Sequence, residues 1–137
     1  MLKFWIVIFT LFLTACTSLP SVKTLPTQTK NIRLFKVESR GQANLLSVQF
    51  EANQWRWVQT DPLGSPKARV VLDKNGWKND GFIMPNQQAK QLFTAIAVAL
   101  NPNNPPFELN KNWRIEQNGM HFNIMLPDGS EWKVNEL

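Results

Sequence analysis

Short runs of alternating apolar and polar residues dominate the chain from residue 31 onward. Ile32 and Leu34 fall on one face of a first strand and Phe35 and Val37 on the other, with a turn at Gly41-Gln42. Leu46, Val48 and Phe50 alternate in a second strand that ends before Asn53-Gln54. Trp55 and Trp57 then share one face of a third, with Arg56, Val58 and Thr60 opposite, because successive side chains point to opposite sides of a strand. This pattern predicts a half-buried antiparallel meander. Asp61-Pro62-Leu63-Gly64-Ser65-Pro66 breaks it with a turn or protruding loop. Val70 and Leu72 mark a fourth strand, Lys74-Asn75-Gly76 a hairpin turn, and Trp77 to Met84 the returning segment.

The period then changes. Ala89, Leu92, Phe93, Ile96, Ala97 and Leu100 follow helical spacing, and Asn86 is placed to cap a helix over residues 87–100. Ala95, Val98 and Ala99 leave the second half of this helix little polar face, so it must be covered on more than one side, either roofing a cavity or packing into a dry core. Asn101-Pro102 ends the helix, and an irregular connection runs through Pro105-Pro106. Three strands finish the pattern: Trp113 to Gln117, Met120 to Leu126 and Glu131 to Asn135. The predicted fold class is α+β, an antiparallel sheet with one principal helix packed against it.

The first thirty residues follow a different logic. Lys3, the apolar run Phe4 to Leu13 and the small residues before Cys16 make a bacterial secretory signal. Ten residues are too few to cross a hydrocarbon core of about 30 Å as a helix. Leu13-Thr14-Ala15-Cys16 resembles the lipoprotein box, in which the cysteine thiol receives a diacylglyceryl group before cleavage. The expected organisation is a signal peptide over residues 1–15, a lipidated Cys16 with a flexible Ser/Thr/Pro-rich tether over residues 16–30, and a domain over residues 31–137. Thr17, where enteric lipoproteins kept in the inner membrane carry Asp, implies the outer membrane, with the domain facing the periplasm.

Composition changes this picture little. Removal of residues 1–15 leaves 122 residues, enough for one core, and takes the net charge from +5 to +4 with the basic residues scattered. The single cysteine leaves no internal disulfide. Trp55-Arg56-Trp57 has the aromatic and basic character of a nucleic-acid platform, but an exported lipoprotein meets little nucleic acid, and no such partner is expected. The single histidine, His121, is expected opposite an apolar face of Met120, Phe122, Ile124 and Leu126. Ser65-Pro66-Lys67 puts a hydroxyl near an amine without a third orienting group. No catalytic or metal-ligand spacing is present in the sequence, so the chain is read as a non-enzyme with no cofactor beyond the lipid on Cys16.

From about Val48 to Leu92 the order of elements resembles the LolA/LolB half-barrel group, most closely a reduced LolB-like outer-membrane lipoprotein. The resemblance is carried by a Trp-bearing strand, Thr60-Asp61-Pro62-Leu63-Gly64-Ser65, a further strand, the Asn75-Gly76 turn and a helix, with Asp128-Gly129 and a Trp-bearing strand near the end. It implies a curved antiparallel sheet, an incomplete half-barrel with the one principal helix packed on its concave face, and an apolar cavity between them that accepts the acyl chains of lipoproteins or lipids. It also implies that Leu63 contacts membrane during delivery; the alternative is that Leu63 packs on its own turn. Trp55, Trp57, Leu72, Leu92, Phe93 and Ile96 would then line the cavity or, as ordinary core, fill it. The chain departs from the larger relatives in lacking a helix before the first strand and in having a Pro/Asn-rich connection after Leu100 in place of lid structure. The implied partners are membrane lipid, lipoprotein or acyl-chain cargo, and a periplasmic carrier or envelope complex. A structural or interaction lipoprotein with a filled core is the main alternative, and a lipid hydrolase the third.

Cys16→Ser is expected to abolish acylation and either block maturation or release a soluble form. Mass spectrometry of the mature N-terminus and membrane fractionation check this; unchanged membrane attachment with no acyl mass on the wild type is the contrary result.

Overall fold

The computed structural model describes residues 19–137, so Cys16 and the expected signal peptide lie outside the described residues. Eight strands form one curved, unclosed antiparallel sheet, and one helix covers it. The strands are β1 Ile32–Ser39, β2 Gln42–Phe50, β3 Trp55–Thr60, β4 Pro66–Asp73 and β5 Gly76–Asn79, then α1 Gln87–Leu100, and β6 Arg114–Asn118, β7 His121–Met125 and β8 Glu131–Glu136. Their order is β5-β4-β3-β2-β1-β8-β7-β6, so two local meanders meet along β1 and β8.

The faces follow the sequence pattern. Phe35 and Val37, Leu46 and Val48, Trp55 and Trp57, Val70 and Leu72, Phe122 and Ile124, and Val134 are buried beneath the helix, with Ile32 and Leu34 on the open face. Register keeps these positions together: Val48 lies opposite Trp57, and Trp57 opposite Val70. A one-residue slip would turn each apolar set to water.

Asn86 caps α1, its side-chain oxygen accepting the Ala89 N–H at 3.0 Å. At the other end Asn101 donates from its side chain to the Ala97 carbonyl. Every residue from Gln91 to Ala97 is buried, nearly two full turns, so the sheet alone does not cover the helix. The connection after α1 supplies Phe107 and Leu109, and the N-terminal segment supplies Val22 and Leu25.

This corrects the expectation of a free tether up to residue 30. The Lys23 N–H donates to the Pro106 carbonyl at 2.7 Å, and Gln28 donates to the Asn101 side chain at 2.8 Å. Val22 and Leu25, half-buried, pack against the core. Two further expectations shift at turns. β5 stops at Asn79 rather than reaching Met84, and Met120 belongs to the exposed β6–β7 turn rather than the apolar face.

Arg33 of β1 and Glu136 of β8 close the seam between the two meanders. The guanidinium donates from Nε and Nη2 to the two carboxylate oxygens at 2.8 and 2.6 Å. These bonds hold the Glu136 carboxyl below its ordinary pKa, against the opposing effect of burial. A depressed folded pKa means that the stabilisation is complete above the unfolded value and is lost as pH falls through the folded one. Glu136→Gln is expected to cost about 1.5–3 kcal/mol near neutrality. The difference from wild type should shrink below the usual glutamate pKa of about 4.3. Denaturant titrations over a pH series measure it, and a pH-independent difference contradicts the assignment.

Candidate membrane-facing site

The turn between β3 and β4 is built around one carboxylate. Asp61 accepts the Leu63 N–H at 3.0 Å and the Ser65 N–H at 2.9 Å, while its own backbone pairs with Ser65 and Gly64. Gly64 has φ of +85°, a left-handed conformation that a glycine adopts without a Cβ clash. With the backbone thus satisfied inside the turn, Leu63 has nowhere to fold back and is 92% exposed. Leu63 therefore does not pack on its own turn.

A second apolar loop stands at the same end of the sheet. β4 runs away from the Leu63 turn to Asp73, and β5 returns, with Asn79 opposite Val70 and the Asp80 N–H donating to the Arg69 carbonyl. The chain therefore continues past Asp80 towards the Leu63 turn. Gly81, at φ +90°, turns it off the sheet, leaving Phe82 fully exposed and Met84 83% exposed. Phe82 and Met84 were not singled out in the sequence because they sat inside the expected returning strand. The signal was Asp80-Gly81, a turn dipeptide that ends the strand early.

The six residues expected around an acyl cavity are brought together, but as close-packed interior. Trp55 is 2% exposed, and Trp57, Leu72, Leu92, Phe93 and Ile96 are wholly buried. Trp57 stacks on Phe93 with centroids 5.3 Å apart and meets Trp77 edge-on at 5.5 Å; Trp77 in turn stacks on Phe107. Trp77 also donates its indole N–H to Thr94 of α1 at 3.0 Å. Two polar atoms in this interior, Trp57 Nε1 and Gln59 Oε1, have no hydrogen-bond partner among the described residues.

A surface concavity of about 730 Å³ lies elsewhere, across β1, β8, β7 and β6, and is lined by charged groups such as Glu38, Arg114, Glu116 and Lys133 together with Met125 and Trp132. A second, of about 440 Å³, lies between residues 20–23 and 108–110. Neither includes any of the six residues. His121 is exposed on the open face of β7. Among the described residues no three His, Cys, Asp or Glu side chains are arranged to hold a metal, and no helix is long and apolar enough to cross a membrane.

No family model matches the chain, and no match was found among curated proteins or solved structures.

Leu63→Glu is expected to change the unfolding free energy by less than about 0.5 kcal/mol, as for a surface substitution without contacts. Asp61→Ala, which removes two hydrogen bonds from the turn, is expected to cost about 1 kcal/mol. Denaturant unfolding of both variants checks this. A loss of 2 kcal/mol or so in Leu63→Glu is what burial of that side chain would produce.

Proposed function

We propose that the chain is an outer-membrane lipoprotein of LolB-like architecture, anchored through Cys16 on the periplasmic side, that helps acyl-bearing molecules reach its membrane. The observation that carries the proposal is Leu63, held out in water by a turn whose own hydrogen bonds are complete. A leucine fixed in that way loses little further conformational freedom on entering lipid. Full burial of such a side chain contributes about 1.5–3 kcal/mol.

Cargo would lie between the sheet and α1. Each cargo methylene leaving water contributes about 0.8 kcal/mol, which has to offset separation of the Trp57, Phe93 and Trp77 rings. The unpartnered Trp57 Nε1, a donor, and Gln59 Oε1, an acceptor, favour a cargo that carries polar groups of its own. No chemical step is required.

The filled interior supports a second reading. With Trp57, Leu72, Leu92, Phe93 and Ile96 wholly buried against one another, the domain is also suited to act as a scaffold that contacts an envelope complex without taking up a ligand.

One experiment separates the two. Acylated protein extracted from its membrane is titrated with a fluorescent fatty-acyl probe and mixed with acceptor liposomes. Saturable binding, and transfer slowed roughly 10- to 100-fold in Leu63→Glu with binding unchanged, are expected if the leucine contributes the insertion energy given above. Absence of saturable binding by the wild type assigns the scaffold role instead.

A further inference from the structure

We infer that the end of the sheet bearing Leu63, Phe82 and Met84 lies down on a phospholipid bilayer, and that Phe82 and Met84 form a second lipid-inserting loop beside the Leu63 turn. The inference extends the proposed membrane role and rests on Cys16 being the lipid-bearing residue.

The course of the N-terminal segment decides the orientation. Gln28 is bonded to Asn101 at the C-terminal end of α1, the end of the sheet away from Leu63. Going back along the chain, Lys23 meets Pro106 and Glu108, and Pro20 and Ser21 lie beside Leu109 and Asn110. Asn110 accepts the Trp113 N–H, and the next residue, Arg114, opens β6 opposite Met125. Met125 directly precedes the β7–β8 turn. That turn is bound to the N-terminal turn of α1 through Gln88 and Asp128. Residue 20 therefore points back towards the end where Leu63, Phe82 and Met84 protrude. Cys16 is three residues before Leu19, within about 11 Å of it whatever path the chain takes. A lipid on Cys16 thus brings this end of the domain, and not the opposite one, to the bilayer.

The chemistry of that end suits lipid better than a protein surface. Three apolar side chains stand on two separate loops, 92% exposed, fully exposed and 83% exposed. A fluid bilayer accepts separate protruding side chains at any spacing. The carboxylates that flank these loops in sequence are already engaged: Asp61 by its own turn, and Asp80 by Arg56 at 3.0 Å and Arg69 at 3.2 Å. Lys67, at the start of β4, and Lys90, in the first turn of α1, have no ion-pair partner among the described residues. They are free to meet anionic headgroups, the arrangement by which interfacial segments combine apolar insertion with basic flanks.

The test uses the full acylated chain in vesicles of phosphatidylethanolamine and phosphatidylglycerol containing doxyl-labelled phospholipid. Bimane is attached to Phe82→Cys, Met84→Cys or, at the opposite end of the sheet, Asn75→Cys. The wild-type Cys16 is blocked by its lipid, and its acyl mass is measured first. Quenching several-fold stronger at positions 82 and 84 than at 75 is expected. Equal quenching at all three positions, or stronger quenching at 75, overturns the inference. The delivery role is scored separately by transfer in Leu63→Glu: strong quenching at 82 and 84 with wild-type transfer would leave the orientation standing and remove the delivery role. Impaired transfer with unquenched probes at 82 and 84 would do the reverse.

Discussion

The fold depends most on a run of aromatic rings that links three separate parts of the chain. Trp57 from the middle of the sheet, Phe93 from the helix, and Trp77 from the edge strand meet within 5.3–6.1 Å, and Phe107 from the connection after the helix extends the run. Aromatic pairs of this kind add about 0.5–1.5 kcal/mol beyond the area they bury. Without that run the helix would rest on Leu92 and Ile96 and on small side chains such as Ala95 and Ala97, which offer less surface. The bond from Trp77 to Thr94 fixes where along the helix axis the edge strand sits. The same rings occupy the space in which an acyl chain would be held, so stability of the closed domain and access to its interior are set by one group of contacts.

Much of this was legible from residue order. Alternation assigned Trp55 and Trp57, Leu46 and Val48, and Phe35 and Val37 to their faces, because a sheet with one dry side leaves no other register. The crowded helix announced that it needed cover on a second side. What supplied that cover was not legible: Val22, Leu25 and Phe107 are isolated apolar residues among prolines, asparagines and threonines, and only tertiary contact gives them a place. The state of the interior was equally hidden. The same six residues suit a lining and a filling, and the choice turns on how rings such as Trp57 and Phe93 stack, which periodicity does not encode. Pro62, Gly64 and Pro66 marked a turn around Leu63, but its singling out came from the resemblance of the Pro-Leu-Gly loop; Phe82 escaped because hydrophobic pattern was followed past the Asp80-Gly81 break.

Charge and apolar surface are divided along the molecule. The open face of β1, β8, β7 and β6 carries a mixed field of acids and bases around the concavity of about 730 Å³, whereas the three most exposed apolar side chains, Phe82, Leu63 and Met84, stand on loops beyond the ends of strands. The Leu63 turn holds its shape through local hydrogen bonds that do not involve the core.

The strand order has a consequence for how the chain acquires its structure. Within each meander, neighbours in space are neighbours in sequence, whereas β1 and β8 pair across most of the chain, Arg33 and Glu136 being 103 positions apart. Closing so long a loop is the entropically expensive part of folding, and non-local pairings of this kind slow it. In a chain emerging from its N-terminus, β1 through β5 are complete while β8 is still to come. Throughout that interval β1 is an open edge with Leu34 and Ile32 on one face and Phe35 and Val37 on the other, a template for mispairing with another chain. The last strand to arrive is therefore the one that protects the first.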